Sequence, residues 1–196
     1  MLEGEKELVE RARRGDLEAF NSLVMAYQNT AYNIAFRILG NHHDASDAVQ
    51  EAFIKAFRGI GKFRGGSFRA WLIRIVTNAC RDALRASKRR PSVPLCSQGV
   101  EPERDYRFSR EESPEDYAER QELARLIQEA IDSLPFDQKA VIVLSDLEGF
   151  DYQEIAEALG IPLGTVKSRL SRARARVKEY LMAHQELLPV RYRLKP

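Results

Sequence analysis

The segment from Asp151 to Lys178 carries the most specific chemical pattern in the chain. Between Gly160 and Lys178 there are six Lys or Arg residues and no acidic residue. Asp151 and Glu154 have the spacing of a capping box, and Gly160-Ile161-Pro162 can turn the chain before a longer helical pattern begins. This order of parts predicts a helix-turn-helix whose second helix enters the major groove of duplex DNA.

One face of that second helix combines basic and hydroxyl side chains. Arg can donate two hydrogen bonds to guanine, and Ser or Thr can contact bases or phosphates. The candidate duplex-reading residues are Thr165, Val166, Ser168, Arg169, Arg172 and Arg176. Val166 also begins the apolar stripe that must pack on the core, followed by Leu170 and Ala173. We expect Lys167, Arg174 and Lys178, on other faces, to meet phosphates or solvent.

A second basic block lies earlier, from Lys55 to Arg90, with eleven Lys or Arg residues against one acid, Asp82. Within it, Phe63, Phe68 and Trp71 alternate with Lys62, Arg64, Arg69 and Arg74. Aromatic faces stack unpaired bases while basic side chains follow the backbone, as single-stranded DNA binding requires. The pattern equally allows these aromatic residues to belong to a hydrophobic core, and both interpretations remain open.

The elements that position these blocks are helical. Apolar residues at helical spacing predict helices at residues 3–14, from Asp16 to Gly40, from near Asp44, and from Trp71 onward, with a loop at 59–67. Helical spacing resumes at Leu123 and continues to about Ala183. Residues 141–144 have the composition of a buried strand, but their spacing to Leu147 favours a helix. The segment 87–116, which contains four prolines, predicts an irregular linker.

The expected fold is therefore all-α, with two small helical domains, a long irregular linker and a helix-turn-helix in the second domain. The expected boundaries are residues 1–86 and 117–184 for the domains, 87–116 for the linker and 185–196 for a C-terminal tail. The net charge of the whole chain is only +2, because acidic stretches at 101–122 and 123–159 offset the two basic blocks. Two basic surfaces on one chain indicate two contacts with a polyanion.

Composition excludes several classes of protein. The chain is 44% hydrophobic, which excludes wholesale disorder, and it has no run of about 20 apolar residues that could span a membrane. The acidic N-terminus lacks an apolar signal region, so we expect a cytoplasmic protein. Two cysteines make no disulfide framework, and no His or Cys spacing resembles a metal site. We therefore expect no metal and no cofactor, and we expect Cys80 to be a small core residue.

Four stretches of the chain together resemble bacterial sigma factors of the extracytoplasmic-function (ECF) group, the small two-domain initiation factors of RNA polymerase. The stretches are GDLEAFNSLVMAYQ (15–28), DAVQEAFIKAFR (47–58), FRGGSFRAWLIRIVTNACRDALR (63–85) and LPFDQKAVIVLSDLEGFDYQEIAEALGIPLGTVKSRLSRARARV (134–177). They cover both helical domains in the family's order. The resemblance implies that the chain directs core polymerase to promoters and opens them by binding, without enzymatic chemistry.

The resemblance also implies roles for residues. It implies that the β′ clamp helices of core polymerase contact Asp47, Gln50, Glu51 and Lys55. Loop 62–69 captures a flipped base of the −10 element, and the helix after it reads and opens that element as single-stranded DNA. The −10 candidates are Lys62, Arg64, Ser67, Phe68, Arg69, Trp71, Arg74, Asn78 and Arg81. The amide of Asn78 can both donate to and accept from a base edge.

For the second domain, the resemblance implies that the recognition helix reads the −35 element as duplex and that the β flap of polymerase is a partner. The linker is expected to pass through polymerase near its active centre, where its acidic part could mimic nucleic acid. An anti-sigma factor is a further implied partner.

Three other functions fit parts of the pattern. A polymerase-independent helix-turn-helix regulator of transcription is the main alternative, and it would bind promoter duplex without core polymerase. A recombinase or nuclease could use Ser67 as its nucleophile, but the first domain shows no strand alternation and no carboxylate cluster for a metal. A response regulator would need an α/β receiver domain, whose strands the N-terminal half lacks.

Overall fold

The computed structural model describes residues 4–89, 113–188 and 192, and all regular secondary structure within them is helical. The first four helices are α1 (Glu5–Arg13), α2 (Leu17–Leu39), α3 (His42–Gly59) and α4 (Phe68–Arg89), with a 3₁₀ turn at Ile60–Lys62. The second four are α5 (Pro114–Asp132), α6 (Phe136–Ile142), α7 (Tyr152–Leu159) and α8 (Leu163–Ala183). We call α1–α4 the N-terminal unit and α5–α8 the C-terminal unit. The all-α prediction is confirmed.

Side-chain caps fix the ends of the long helices. The Asp16 carboxylate accepts a hydrogen bond from the Ala19 N–H at 3.0 Å, and Gly40, with φ +78°, ends α2, as predicted from the sequence. The α3 helix starts at His42, slightly earlier than expected, because the Asn41 side chain accepts from the Asp44 N–H at 2.8 Å.

The predicted linker is shorter than expected at both ends. The α4 helix continues to Arg89, and α5 already begins at Pro114, where the Ser113 hydroxyl accepts from the Asp116 N–H at 3.1 Å. Proline is favoured in the first turn of a helix, so Pro114 starts a helix here instead of marking a loop. Residues 90–112, with Cys96 and the acidic part of the linker, and residues 189–191 and 193–196 of the tail lie outside the described residues. The domain boundaries stay a prediction.

The buried side of α3 consists of four alanines, Ala45, Ala48, Ala52 and Ala56. This alanine seam lets the α3 backbone lie close to both α2 and α4, because no large side chain holds the helices apart. Phe57, on the same helix, is 48% exposed, with its ring edge against Phe20 at 5.1 Å between centroids.

In the C-terminal unit, residues 141–144 are buried and helical, which rules out the strand alternative. The helix widens to a π-helical turn over Val143–Leu147, which the sequence pattern did not indicate. The capping box of α7 is confirmed: Glu154 N–H donates to the Asp151 carboxylate at 2.8 Å, and Asp151 N–H donates to the Glu154 carboxylate at 3.0 Å. Gly160, with φ +64°, ends α7 and forms the turn into α8.

The two units pack against each other and share one hydrophobic core, which runs from α2, α3 and α4 into α6, α7 and α8. Lys139 of α6 lies in this contact and is only 7% exposed. Its ammonium group donates to Asp132 at 2.8 Å and to the backbone carbonyl of Ile38, at the end of α2, at 3.3 Å. The buried positive charge is thus paired and also meets the negative end of the α2 dipole.

Candidate nucleic-acid interface

The loop before α4 and the first turns of that helix form a basic cleft of about 430 Å³. Gly65 and Gly66 both have φ +92°, a conformation that side chains with a Cβ rarely adopt. The Ser67 hydroxyl accepts from the Ala70 N–H at 3.1 Å and so starts α4, while its own proton remains available to a ligand. Lys62 and Arg64 are exposed along the cleft.

The three aromatic residues near the cleft differ in burial: two are buried in the core, and the third forms part of the cleft wall. Phe63 is 7% exposed and Phe68 is 2% exposed, whereas Trp71 is half-buried and lines the cleft. The Phe68 ring lies 5.6 Å from the Trp71 ring and 5.7 Å from the Tyr27 ring, between centroids. The Phe68 ring is therefore surrounded by protein in this structure, and its predicted contact with DNA stays a prediction. Of the three, Trp71 has the most exposed side chain at the cleft.

Further along α4, Arg74 and Asn78 are exposed and Arg81 is half-buried. With Trp71, these residues recur at intervals of three and four and so lie along one side of the helix. The opposite side is buried and includes Val76, Ala79 and Cys80. Cys80 has no exposed surface, so the expectation that it is a small core residue is confirmed, and burial raises the pKa of its thiol to about 12.

The recognition helix α8 separates its faces as the sequence predicts, with one exception. Ser168, Arg172 and Arg176 are exposed, and Thr165 and Arg169 are half-buried. Val166 has no exposed surface and belongs to the apolar stripe that holds α8 on the core, so its contact with DNA stays a prediction that burial does not favour.

Arg174 lies off this face, as expected, and is bound within the C-terminal unit. Its Nε and Nη2 donate to the two carboxylate oxygens of Asp146 at 2.8 and 2.7 Å. This paired hydrogen bond lowers the pKa of Asp146 and raises that of Arg174.

Exposed polar side chains form a row along the α3 helix. Asp47, Gln50, Glu51 and Lys55 are all exposed, with Lys55 paired to Glu51 at 2.7 Å. Ile54, on the same helix, is 45% exposed and adds apolar surface beside Phe57. Sequence reasoning did not predict that Ile54 and Phe57 would be exposed, although the alanines at the buried positions indicate that α3 has little room for large side chains underneath.

Three predicted DNA-reading arginines of α4 contact the C-terminal unit. Arg69 lies 3.0 Å from the Glu154 carboxylate, and its guanidinium carbon lies 3.6 Å from the centre of the Phe150 ring. The guanidinium of Arg74 lies against Gly160, where a Cβ would approach it to 3.2 Å.

The third of these arginines, Arg81, lies 3.4 Å from Asp137, and its guanidinium carbon lies 4.7 Å from the centre of the Phe136 ring. Asp137 also pairs with Arg169 of α8 at 3.0 Å. Sequence reasoning did not connect these acidic and aromatic residues with the arginines, because each lies far from its arginine along the chain.

Among the described residues, no group of three or more His, Cys, Asp or Glu side chains could hold a metal ion. Within the same parts of the chain, no helix is both long and apolar enough to cross a lipid bilayer.

Comparisons with known proteins match both units. The model of the Sigma-70 region 2 family matches residues 23–90, and that of the Sigma-70, region 4 family matches residues 124–177. The RNA polymerase sigma-H factor of Pseudomonas aeruginosa is 38% identical over 91% of this chain and 94% of its own length. The ECF RNA polymerase sigma-E factor of Haemophilus influenzae is 41% identical over 87% of this chain and 92% of its own.

Two solved structures have a similar fold over most of the chain. The structure of CnrH in complex with the cytosolic domain of CnrY matches with a TM-score of 0.67 and 30% identity, over 92% of this chain and 98% of CnrH. The sigma factor RpoE from Bartonella quintana, in complex with the anti-sigma factor NepR, matches with a TM-score of 0.64 and 26% identity. That match covers 84% of this chain and 98% of the other. With a sigma region in each unit and relatives of about 40% identity along most of its length, this chain belongs to the ECF-type RNA polymerase sigma factors.

Proposed function

We propose that this sigma factor places two DNA readers, α4 and α8, on one promoter while α3 attaches the chain to core polymerase. The observation that carries the proposal is the presence of two separate basic helical faces, one in each unit. A single-site regulator has no need of the second face. The reaction is binding, and we propose no enzymatic activity for the chain.

At the −35 element, we propose that α8 enters the major groove of the duplex. Arg172 and Arg176 are exposed and can reach base edges or phosphates, and Arg169 becomes available when its pair with Asp137 opens. Each good pair between an arginine and a guanine contributes about 1–3 kcal/mol of discrimination. Because Val166 and Leu170 are buried, the helix presents this face at a fixed angle to the unit.

At the −10 element, we propose that the cleft before α4 captures an unpaired base. Extruding a stacked base costs a few kcal/mol, and stacking on an aromatic ring offsets about 1–3 kcal/mol of it. Trp71 supplies the ring, the backbone at Gly65 and Gly66 lets a strand approach closely, and Lys62 and Arg64 attract its phosphates. Asn78 supplies donors and acceptors to a base edge.

The α3 row fits the role of a polymerase contact. Its four polar residues lie on the same helix as exposed Ile54, and a mixture of apolar and polar exposed side chains is the usual composition of a protein–protein interface. We propose that the β′ clamp helices bind here and that the β flap contacts the C-terminal unit. An anti-sigma factor is also proposed, since CnrH and RpoE were solved with CnrY and NepR. The proposed site of action is the bacterial cytoplasm, where polymerase and chromosome lie.

The test is run-off transcription with core polymerase over a library of genomic promoters, combined with permanganate footprinting of unpaired thymines. We expect transcripts and −10 reactivity only when both the chain and core polymerase are present. Core polymerase without the chain is the control for background initiation. Specific duplex binding without polymerase, together with no opening in its presence, would support the polymerase-independent regulator instead.

A matched pair of variants tests which face of α8 reads the −35 duplex. Arg172→Ala removes an exposed α8 side chain from the proposed duplex face, whereas Lys167→Ala removes an exposed positive charge from another face of the same helix. We expect the first to relax promoter selection and the second to weaken binding evenly across promoters. If the two variants change promoter selection equally, the proposal that this face of α8 reads the duplex is wrong.

A further inference from the structure

The cleft before α4 is built on a small hydrophobic cluster of its own. This cluster is distinct from the core that the two units share, and its described members all belong to the N-terminal unit. The loop and α4 contribute Phe63 and Phe68, α2 contributes Tyr27, and α1 contributes Val9 and Ala12. The aromatic residues at the cleft are therefore packed together with a helix that carries none of the −10 candidates.

The Trp71 ring, which lines the cleft, is held by three neighbours. The rings of Phe63 and Phe68 lie 5.2 and 5.6 Å from it, between centroids. At the end of α3, Gly59 faces the indole closely, since a Cβ at this position would lie 3.4 Å from Cζ2 of Trp71. In a closely packed environment, the position of a ring depends on how firmly its neighbours are held in turn.

Tyr27 of α2 is the next ring in this series of contacts. Its centroid lies 5.7 Å from that of Phe68, and the side chain is only 8% exposed. Its hydroxyl donates a hydrogen bond to the carboxylate of Glu5, in the first turn of α1. Burial and this hydrogen bond both raise the pKa of the Tyr27 hydroxyl, so it keeps the proton that it donates.

We propose that α1 is a positioning element of the −10 site, which fixes the Trp71 ring through Glu5 and Tyr27. Glu5 holds the hydroxyl end of Tyr27, and the Tyr27 ring limits the movement of Phe68. Phe68 in turn sets the angle at which the indole faces an unpaired base. The inference rests on the proposed function of the cleft, and it adds two residues that act through Trp71 and not by contact with DNA.

A positioning role fits the physical demands of base capture. A group that binds a ligand must be held within about 0.5 Å of its productive position by the residues around it. A hydrogen bond from a hydroxyl to a carboxylate is stronger than one between neutral groups, and it fixes the tyrosine ring at its far end. Without it, the ring is held by apolar contacts alone, which have little directional preference.

The hydrogen bond can be removed without detaching α1. Val9 and Ala12 are 5% and 4% exposed, and they hold α1 on the rest of the unit. Nε of Arg11 also donates to the Asp16 carboxylate, at the start of α2, at 2.8 Å. Variants at Glu5 and Tyr27 therefore test positioning in a chain that keeps its fold.

The first experiment follows the ring itself. Trp71 is the only tryptophan in the sequence, so the full chain labelled with 5-fluorotryptophan gives one fluorine resonance, from the cleft. Tyr27→Phe removes the hydroxyl and keeps the ring, whereas Glu5→Ala removes the acceptor. We expect the resonance to broaden about twofold or to split in each variant, because the indole then exchanges between positions.

Two matched controls accompany these variants. Tyr32→Phe removes a hydroxyl from the same helix, where it contacts His42 and packs against the shared core. Glu7→Ala removes an exposed acidic side chain from the same turn of α1 as Glu5. We expect both controls to keep the fluorine resonance of the unmodified chain. An unchanged resonance in Tyr27→Phe and Glu5→Ala, or an equal change in the controls, overturns the inference.

The second experiment measures promoter opening by the holoenzyme, as the rate at which −10 thymines become reactive to permanganate. The chain is present at saturating concentration, and binding to −35 duplex is measured in the same samples. We expect Tyr27→Phe and Glu5→Ala to open the promoter about fivefold more slowly with duplex binding unchanged. The double variant should be no slower than either single variant, because all three lack the same hydrogen bond. Defects that multiply in the double variant show two independent effects and overturn the inference.

Trp71→Ala separates this inference from the proposed function. Normal −10 opening by Trp71→Ala contradicts the proposed capture of a base by this ring, and with it the inference. If Trp71→Ala loses opening while Tyr27→Phe and Glu5→Ala open the promoter normally, the cleft is the −10 site but α1 does not position it. That result overturns the inference alone.

Discussion

Replacing Phe68 by alanine tests whether this aromatic residue is part of the core or part of the DNA site. The ring is 2% exposed, and it packs on the rings of Tyr27, Phe63 and Trp71 at 5.7, 6.1 and 5.6 Å between centroids. Truncation of a buried phenylalanine to alanine costs about 3–5 kcal/mol, since it removes the buried side chain and leaves a cavity. We expect Phe68→Ala to lower the free energy of unfolding by this amount.

The comparison variant is Trp71→Ala, whose side chain is only half-buried. We expect it to cost about half as much stability, roughly 2 kcal/mol, but to abolish capture of the −10 base. Stability is measured by urea unfolding followed by far-ultraviolet circular dichroism, and −10 opening by permanganate reactivity with core polymerase, divided by the folded fraction.

Phe68→Leu serves as the control that keeps most of the buried volume. We expect it to retain opening and most of the stability. If Phe68→Ala leaves the urea midpoint unchanged while opening is lost, the ring contacts DNA and the assignment to the core is incorrect.

Three further predictions follow from individual contacts. Asn78→Ala removes an exposed side chain, so the free energy of unfolding should change by less than about 0.5 kcal/mol while −10 permanganate reactivity falls; unchanged reactivity removes Asn78 from the site. Gly160→Ala should destabilise the chain by about 1 kcal/mol in urea unfolding, because φ is +64° and the new Cβ approaches Arg74. Asp146→Asn should cost up to about 1 kcal/mol at neutral pH, because it breaks the pair with Arg174. Since that pair lowers the pKa of Asp146 below 3.8, its stabilisation is complete above 3.8 and is lost as the pH falls further; a stability difference that persists in acid contradicts this assignment.

The helix ends were predictable where a single side chain decides them. Asp16 and Gly40 bound α2 as expected, and Asp151 with Glu154 starts α7, because caps act over three or four residues and leave a local signature. The π-helical turn at Val143–Leu147 has no such signature. It arises within a run of buried apolar residues, where packing determines the local winding.

The division of aromatic residues between core and cleft was open at the sequence level but is understandable in the structure. Phe68 stands four residues before Leu72 and eight before Val76, and both of these are fully buried, so all three lie on the inner stripe of α4. Trp71 lies beside that stripe. In the sequence, basic residues flank both Phe68 and Trp71, so the pattern did not distinguish the buried ring from the half-buried one.

The contact between the units could not be predicted from the sequence. Arg69 and Glu154 are 85 positions apart, Arg81 and Asp137 are 56 apart, and Lys139 and Ile38 are 101 apart. Periodicity and capping report only on neighbours within a few residues. A long proline-containing segment between the two helical patterns predicted independent domains, and nothing local indicated that their surfaces are complementary.

The alanine seam of α3 has a mechanical consequence. Because the four fully buried side chains of α3 are methyl groups, which have no rotamers, they cannot absorb a displacement by rotation, and closely packed interiors transmit strain. A load applied to the exposed side of α3 is therefore passed to α4 across a single helix diameter. The exposed side of α3 and the α4 helix are therefore expected to move together as one rigid body.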